Sequence, residues 1–417
     1  MPIVLPQDGN VATVACDALV LDARLRQSLV TVRSLGRRGL SVAALDGINV
    51  PAFSSRWCRQ GFICPAEHAT DGYLEDVERA LASSAARVII PLADGTIASL
   101  RRHRPRLESR VRLALAQEPA LSIAVNKERT LEVAKRLGVG VPRGLVVRAV
   151  GELPAALKEV GLPAVVKPNE SWLWGEQRGV RVVSQLVTTA AEATRAVAEL
   201  TRFGGVTLFQ EFLPGRREAV SLLYVGGKMH ARFAQWAKRM SPPWGGESIV
   251  RQSISVPPDI GDHAERLVRE IELEGYAEVE FRRDQAGAPH LMEINPRLSA
   301  SVEMAVRSGV DFPYLLYQWA SGGPVDTVDS YRVGNWMRYL AGDLWTTIAA
   351  LRQRGRPGVA PPARALLDFG LSFFTPMGYD CADWSDLLPS LKAAGDFTRH
   401  SMTSFKGKLA PIKKNPA

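Results

Sequence analysis

Strand-sized apolar runs alternate with helix-sized amphipathic ones through the first hundred or so residues, and this alternation restricts the fold more than any other feature of the chain. Ala18-Leu19-Val20-Leu21-Asp22 reads as a buried strand, and Gln27 to Arg38 follows with helical periodicity and stops at Gly39, a natural C-cap residue. Leu40 to Leu45 is the next strand, Tyr73 to Ser83 a helix, and Arg87 to Pro91 a further strand. Strands separated by helices cannot pair through tight turns, so the pattern predicts a parallel sheet covered by helices. The turn after the first strand, Asp22-Ala23-Arg24-Leu25-Arg26, contains no Gly-x-Gly-x-x-Gly, which excludes a dinucleotide fingerprint. Asp94 follows a strand, where such sheets present ligand contacts, and it equally suits the start of the next helix.

The chain changes character after Pro142. A helix from Asn126 to Leu137 closes at Gly138, and from about Leu145 to Phe212 short strands flank one helix, Thr189 to Leu200. Those strands are Ala164-Val165-Val166-Lys167-Pro168, Gly179 to Val183 and Val206 to Phe212. Further strand-like runs occupy Glu218 to Tyr224, Lys228 to Trp236, Ala277 to Arg282 and His290 to Ile294, with a helix from Asp262 to Glu274. From about Thr327 onward there are aromatics and Pro/Gly punctuation but no assignable motif. Trp336, Trp345 and Trp384 in that region suit a core, an interface or a substrate wall, and read best as core.

Composition narrows the functional classes. With 46% hydrophobic and 23% charged residues in 417, the chain has material for several cores, and its longest apolar runs are strand-sized, so no membrane span is expected. The start of the chain, Met1 to Asp8, has no secretory-signal pattern. Four scattered cysteines and six scattered histidines support neither a zinc ribbon nor a disulfide framework, which fits reduced thiols in a cytoplasm. The net charge of +9 is spread along the chain without an RNP, zinc-finger or KH signature, which argues for surface arginines and anionic small ligands rather than nucleic acid.

The sharpest chemical feature is a pair of carboxylates, Glu280 in Glu278-Val279-Glu280-Phe281 and Glu293 in Leu291-Met292-Glu293-Ile294-Asn295-Pro296-Arg297. They stand 13 positions apart, and the segment between them contains the turn signal Asp284-Gln285-Ala286-Gly287. Two antiparallel strands would therefore bring two acids and the Asn295 amide side by side, an oxygen-rich site for Mg2+ shared with phosphates. Arg297 stands next, able to neutralise a transferring phosphoryl group. Lys127 begins a helix and Lys167 ends a buried strand, each a point charge suited to phosphate oxygens. Gln210-Glu211-Phe212-Leu213-Pro214-Gly215, with Glu218 beyond, offers backbone groups to a base edge and a carboxylate to ribose hydroxyls.

In this order, Asn126-Lys127, Val165-Val166-Lys167-Pro168, Gln210 to Gly215, Glu218, Glu280 and Glu293-Ile294-Asn295-Pro296-Arg297 resemble the ATP-grasp superfamily from about Val125 to Gly323. The resemblance implies an α/β chain: a Rossmann-like pre-ATP-grasp domain over residues 1–118, an ATP-grasp domain over 119–325 with an α+β lid at about 145–212 and an α+β catalytic subdomain, and an extension over 326–417. It implies that Lys127 and Lys167 hold ATP phosphates, and that Gln210, Glu211, Phe212 and Leu213 meet adenine. It further implies that Glu218 binds ribose, that Glu280, Glu293 and Asn295 hold one or two Mg2+ (Mn2+ being an alternative), and that Arg297 steadies an acyl phosphate.

One departure concerns the lid loop, usually glycine-rich, which here reads Asn169-Glu170-Ser171-Trp172-Leu173-Trp174-Gly175-Glu176-Gln177-Arg178-Gly179. Its tryptophans can cover phosphates, contact a second substrate, or pack on the protein. The segment Arg239 to Ser248, with Pro242-Pro243-Trp244-Gly245-Gly246, resembles a loop of D-aspartate ligase-like carboxylate–amine ligases. Arg232, Lys238, Arg239 and Arg251 flank it and give a cationic setting, so Arg251 and Lys238 join Arg297 as catalytic candidates, with Glu247 placed to orient an amine.

The expected activity is ATP-dependent amide formation between a small carboxylate, or a larger envelope precursor or peptide, and an amine. Carboxylase, phosphotransferase and non-enzymatic ATP-binding readings stand as alternatives. A cytoplasmic location is expected; the oligomeric state stays open, a homodimer being one form.

Overall fold

The computed structural model describes residues 2–5, 14–64, 71–174, 179–202 and 204–409. The first sheet holds β1 (Ile3–Val4), β2 (Ala18–Val20), β3 (Val42–Asp46), β4 (Cys58–Ile63), β5 (Val88–Ile90) and β6 (Arg112–Leu113), in the order β1-β4-β3-β2-β5-β6. Every pairing in it is parallel. Ala18, Leu19, Val20, Val88, Ile89 and Ile90 are all buried, as strands covered on both faces require. The order reverses between β2 and β5, so the loops after these two strands open onto one crevice. Asp22 follows β2 with φ 59°. Its carboxylate accepts from the backbone N–H groups of Leu92 (3.0 Å) and Ala93 (2.8 Å), which fixes the loop carrying Asp94.

A second sheet, antiparallel, contains β7 (Gly144–Val147), β8 (Ala164–Pro168), β11 (Gln185–Val187) and β12 (Thr207–Glu211), in the order β11-β8-β12-β7. The hairpin of β9 (Trp172–Trp174) and β10 (Gly179–Arg181) extends from it. The helices Leu153–Val160 and Ala190–Thr201 back the sheet. This unit has its own apolar core, built from Val147, Ala156, Val166, Val197 and Phe209 among others. A separate core lets it move as a body against the rest.

The third sheet is the largest. It contains β13 (Arg217–Val225), β14 (Lys228–Ser241), β15 (Glu247–Ile254), β16 (Gly275–Arg283), β17 (Pro289–Asn295), β18 (Trp336–Arg338) and β19 (Gly378–Tyr379), in the order β17-β16-β13-β14-β15-β18-β19. Its apolar residues Val220, Leu222, Val279 and Phe281 share one core with Leu19, Leu45 and Ile89 of the first sheet. The first and third sheets are therefore one packed body, and the second lies over it.

Three expectations change on this description. The Arg239–Ser248 segment is the end of β14, a turn, and the start of β15, because Pro-Pro-x-Gly-Gly supplies a hairpin turn between two long strands. The helix expected from Asp262 to Glu274 runs from Pro258 to Glu270. Its start is set by a proline in the first turn, where no N–H is required. The region after Thr327 holds two strands and the helices Leu340–Arg352, Pro362–Leu371 and Leu387–Leu409. Trp384 is not core: it is 93% exposed.

Candidate active site

Strand parity decides what shares the cleft face. In the antiparallel register Glu280 of β16 lies opposite Glu293 of β17 on one side and Ala219 of β13 on the other, and Glu278 lies opposite Asn295. Alternate residues face one way, so Glu278, Glu280, Glu293, Asn295, Arg217 and Arg282 are on the same face. The Asn295 amide donates to Glu280 Oε1 at 3.2 Å and to Glu293 Oε1 at 3.3 Å, bridging the two acids.

The lysines approach from two other elements. Lys127 opens the helix Lys127–Arg136, whose N-cap Asn126 accepts from the Arg129 N–H at 3.0 Å. That cap aims the Lys127 ammonium at Glu293, with Nζ 3.3 Å from Oε2. Lys167 descends from β8, and its Nζ lies 3.8 Å from Met292 Sδ on β17. Burial pushes the Lys167 pKa down to about 8, with Lys127 and Arg282 adding to the effect and Glu293 and Glu280 opposing it. Glu293 is held below the ordinary carboxylate range: burial works against its charge, but Lys127 and Lys167 outweigh it. Burial pushes Glu280 up to about 7, with Glu293 and Glu278 adding, against the pull of Arg217.

The two acids share the Asn295 amide, with Arg217 paired to Glu280 and Lys127 to Glu293. Among the described residues no cluster of three or more His, Cys, Asp or Glu closes around a metal by itself. The donor set fits a hard divalent cation that completes its shell from a ligand's phosphate oxygens.

Arg297, just past β17, binds Asp94 through Nε to Oδ1 (2.5 Å) and Nη2 to Oδ2 (3.2 Å). Asp94 titrates below its usual range: burial opposes its charge, but Arg297 and Lys127 outweigh it. This pair joins the crevice of the first sheet to the end of β17. A cavity lies at the junction, lined by Asp94, Arg101, Lys127, Trp172, Glu293 and Asn295. Trp172 closes it, and a Cβ on Gly95 would come within 2.6 Å of its ring. Of the readings open for the lid tryptophans, Trp172 thus packs on the first domain at the rim of the cavity. The Trp174 side chain and residues 175–178 lie outside the described residues.

Gln210 and Glu211 end β12. The Glu211 carboxylate pairs with Arg143 (3.0 Å), and its N–H donates to the Arg143 carbonyl (3.0 Å). The Phe212 N–H donates to the Pro163 carbonyl (3.3 Å). The N–H groups of Glu211 and Phe212 are thus engaged within the fold.

Three candidates fall outside the cluster. Glu218 lies opposite Phe281, on the face turned to the core, and pairs with Arg283 (2.7 Å) and Arg216 (3.1 Å). The residue expected to bind ribose thus lies off the face that carries the acid pair. Arg251 is fully buried and grips Asp380 with two bonds, Nη2 to Oδ1 at 2.6 Å and Nη1 to Oδ2 at 3.2 Å. Lys238 stands 5.8 Å from the centroid of the Trp336 ring. The other two cations expected around Trp244 are also engaged, Arg232 by Glu265 and Arg239 by Asp343. That setting is neutralised within the fold, and Glu247 pairs with Arg26 (2.9 Å). Arg217 is the residue that sequence reasoning missed: its Nε donates to Glu280 Oε2 at 3.0 Å. The signal was available, since Arg217 and Ala219 share a strand face and Glu218 does not. Arg282, opposite Arg217, is pushed down to about 10 by burial and by that neighbouring guanidinium.

Residues 206–341 match the family model described as ATP-grasp in the biosynthetic pathway with Ter operon. Over 77% of the chain the structure resembles biotin carboxylase from Campylobacter jejuni (TM-score 0.61, 13% identity, 74% of that chain). Over 77% it also resembles L-amino acid ligase from Bacillus licheniformis (TM-score 0.58, 16% identity, 79% of that chain). The chain has the ATP-grasp fold. Among curated proteins, D-alanine–D-alanine ligase of Chromohalobacter salexigens is 25% identical over 217 residues. That match takes in 47% of this chain, which spans 64% of the relative's own length. The family model covers β12 of the second sheet and β13 to β18 of the third, among them the strands that carry Glu280, Glu293 and Asn295.

Proposed function

We propose that the chain is an ATP-dependent ligase that joins a carboxylate to an amine. The observation that carries this reading is the cross-strand pair Glu280–Glu293, bridged by Asn295 and faced by Lys127 and Lys167 from two different elements. The D-alanine–D-alanine ligase relative and the L-amino acid ligase neighbour support it. Lys127 and Lys167 would take phosphate oxygens, while Glu280, Glu293 and Asn295 would hold Mg2+ or Mn2+. The ion, when bound, neutralises charge between the transferred and remaining phosphates. The substrate carboxylate attacks the γ-phosphorus and ADP leaves. The amine then attacks the acyl carbon, the C–O bond to phosphate breaks, and the amine loses its proton. Arg297, oriented by Asp94, faces the place where the acyl phosphate would form. Trp172 and the lid exclude water, which would otherwise compete with the amine.

The test is ADP release from Mg2+-ATP across a pooled set of amino acids, other carboxylates and amines, with products read by mass and the Glu293→Ala protein as blank. A product weighing acid plus amine minus water supports the ligase and names its substrates. ADP release that needs bicarbonate and no amine would replace it with a carboxylase reading. ATP binding without ADP release on any pool, envelope precursors and peptides included, would replace it with a binding module.

A further inference from the structure

The helix Asp94–Arg102 begins without a cap of its own, because the residue before it, Ala93, has no side chain that can accept a hydrogen bond. Asp22 holds that start from the end of another strand. Its Oδ2 accepts from the N–H groups of Leu92 and Ala93, and its Oδ1 accepts from the Thr96 hydroxyl at 2.5 Å. One carboxylate thus ties the approach to the helix and its first turn. Asp22 and Thr96 are both buried, which shelters these bonds from water. The backbone that presents the carboxylate is itself fixed. Asp22 has φ 59°, a left-handed conformation that aspartate, asparagine and glycine tolerate better than other residues. Its carbonyl accepts from the Leu25 N–H (2.9 Å) and the Ser28 hydroxyl (2.6 Å).

Three consecutive residues at this helix start reach three parts of the molecule. Asp94 binds Arg297 just past β17, Gly95 seats Trp172 of the lid hairpin, and Thr96 bonds Asp22 of the first domain. A guanidinium that faces an acyl phosphate contributes only while it is held in the productive geometry. The orientation of Arg297 is set by Asp94, and that of Asp94 by the loop and first turn that Asp22 holds. We propose that Asp22 is a positioning residue, which sets the Arg297 guanidinium through the start of the helix Asp94–Arg102. This role rests on the ligase reading for its kinetic consequence alone, since the geometry stands without it.

Two variants separate the carboxylate from the backbone. Asp22→Gly removes the carboxylate and keeps the left-handed conformation. Asp22→Asn keeps the shape: its amide oxygen can accept from the two N–H groups while the Thr96 hydroxyl turns to accept from its NH2. The full chain, without substrates, is labelled with phenylglyoxal and read by peptide mass. Labelling of Arg297 should rise by about threefold or more in Asp22→Gly and stay within about twofold of wild type in Asp22→Asn. Arg251, fully buried, stays unlabelled while the fold is intact. If Asp22→Gly exposes Arg251, Thr96→Val takes its place, removes only the hydroxyl, and should raise Arg297 labelling in the same direction. Unchanged Arg297 labelling in a folded variant overturns the proposal whatever reaction the protein performs. With the acid and amine that yield product, Asp22→Gly should lower kcat for ADP release by about ten- to a hundredfold and leave the KM for ATP within about twofold. Asp22→Asn should restore most of the rate. In an Arg297→Ala background the Asp22→Gly step should change kcat by less than about twofold. A further loss as large as in the wild type would make Asp22 a structural residue only and overturn the proposal. Raised Arg297 labelling with no product on any pool would remove the ligase reading and support the positioning.

Discussion

At the scale of single residues, the site is a balance of close charges, and its perturbations have definite signs. Lys167 carries its proton below pH 8 and loses it above, whereas an unburied lysine stays charged to its ordinary value of 10.5. Phosphate oxygens favour the charged form. ATP affinity should therefore be flat below pH 7 and fall by up to about tenfold per pH unit above 8, with a proton taken up on binding. Calorimetric titrations in buffers of different ionisation enthalpy measure that proton directly. The Lys167→Arg protein, permanently charged, should show neither effect; if it keeps the wild-type pH profile, Lys167 is not the titrating group. Glu293 carries the complementary prediction. Glu293→Gln removes a negative charge beside the phosphate site and leaves Lys127 without its carboxylate partner. Metal-free ATP should bind this protein several-fold more tightly, while Mg2+-dependent ADP release falls by at least about a hundredfold. Retained turnover would remove Glu293 from the metal set.

At the scale of elements, the contact that matters is the lid hairpin on the first domain. Trp172 of β9 sits against Gly95, at the start of the helix Asp94–Arg102. Any side chain at position 95 forces one of the two to move. Gly95→Val should push the hairpin off its seat at a cost of about 1–3 kcal/mol of local packing. Hydrogen exchange in β9 and β10 should then rise by tenfold or more while the sheets keep their protection. Unchanged exchange in the hairpin would mean that Trp172 does not hold the lid. What the sequence disclosed at this scale follows from how each element is specified. The β16–β17 hairpin was legible because acids alternate with apolar residues on either side of an Asp-Gln-Ala-Gly turn, a purely local pattern. The face that Glu218 occupies was not legible from spacing alone, since one residue of slip moves a side chain to the opposite face. The strands β18 and β19, three and two residues long, exist only through their pairing to β15 and to each other, so no local periodicity announces them.

At the scale of the whole molecule, two buried aspartates of the C-terminal region, Asp380 and Asp386, pair with arginines of the first and third sheets' body. Asp380 lies between Arg26 of the first domain and Arg251 of β15. Asp386 accepts from Arg33 Nε (2.9 Å), the Ser55 hydroxyl (2.6 Å) and the Arg56 N–H (2.9 Å). Asp380 titrates below its ordinary value: burial opposes the charge, but Arg251 and Arg26 outweigh it. Its contribution to stability is thus complete above the unfolded value of 3.8 and is lost as the pH falls through the lower folded value. Removing one partner strands buried guanidinium groups. Asp380→Ala should therefore cost about 3–5 kcal/mol, read as a lower denaturation midpoint, and Asp386→Ala a similar amount. The double variant distinguishes a clasp from two separate ion pairs. If the extension docks as one unit, the first loss already releases it and the second removes little more, so the double cost falls short of the sum by at least about 1 kcal/mol. Strict additivity would show instead that each aspartate holds only its own arginines. In that case the extension would be a set of independent buried contacts, not one element that fixes the first sheet against the third.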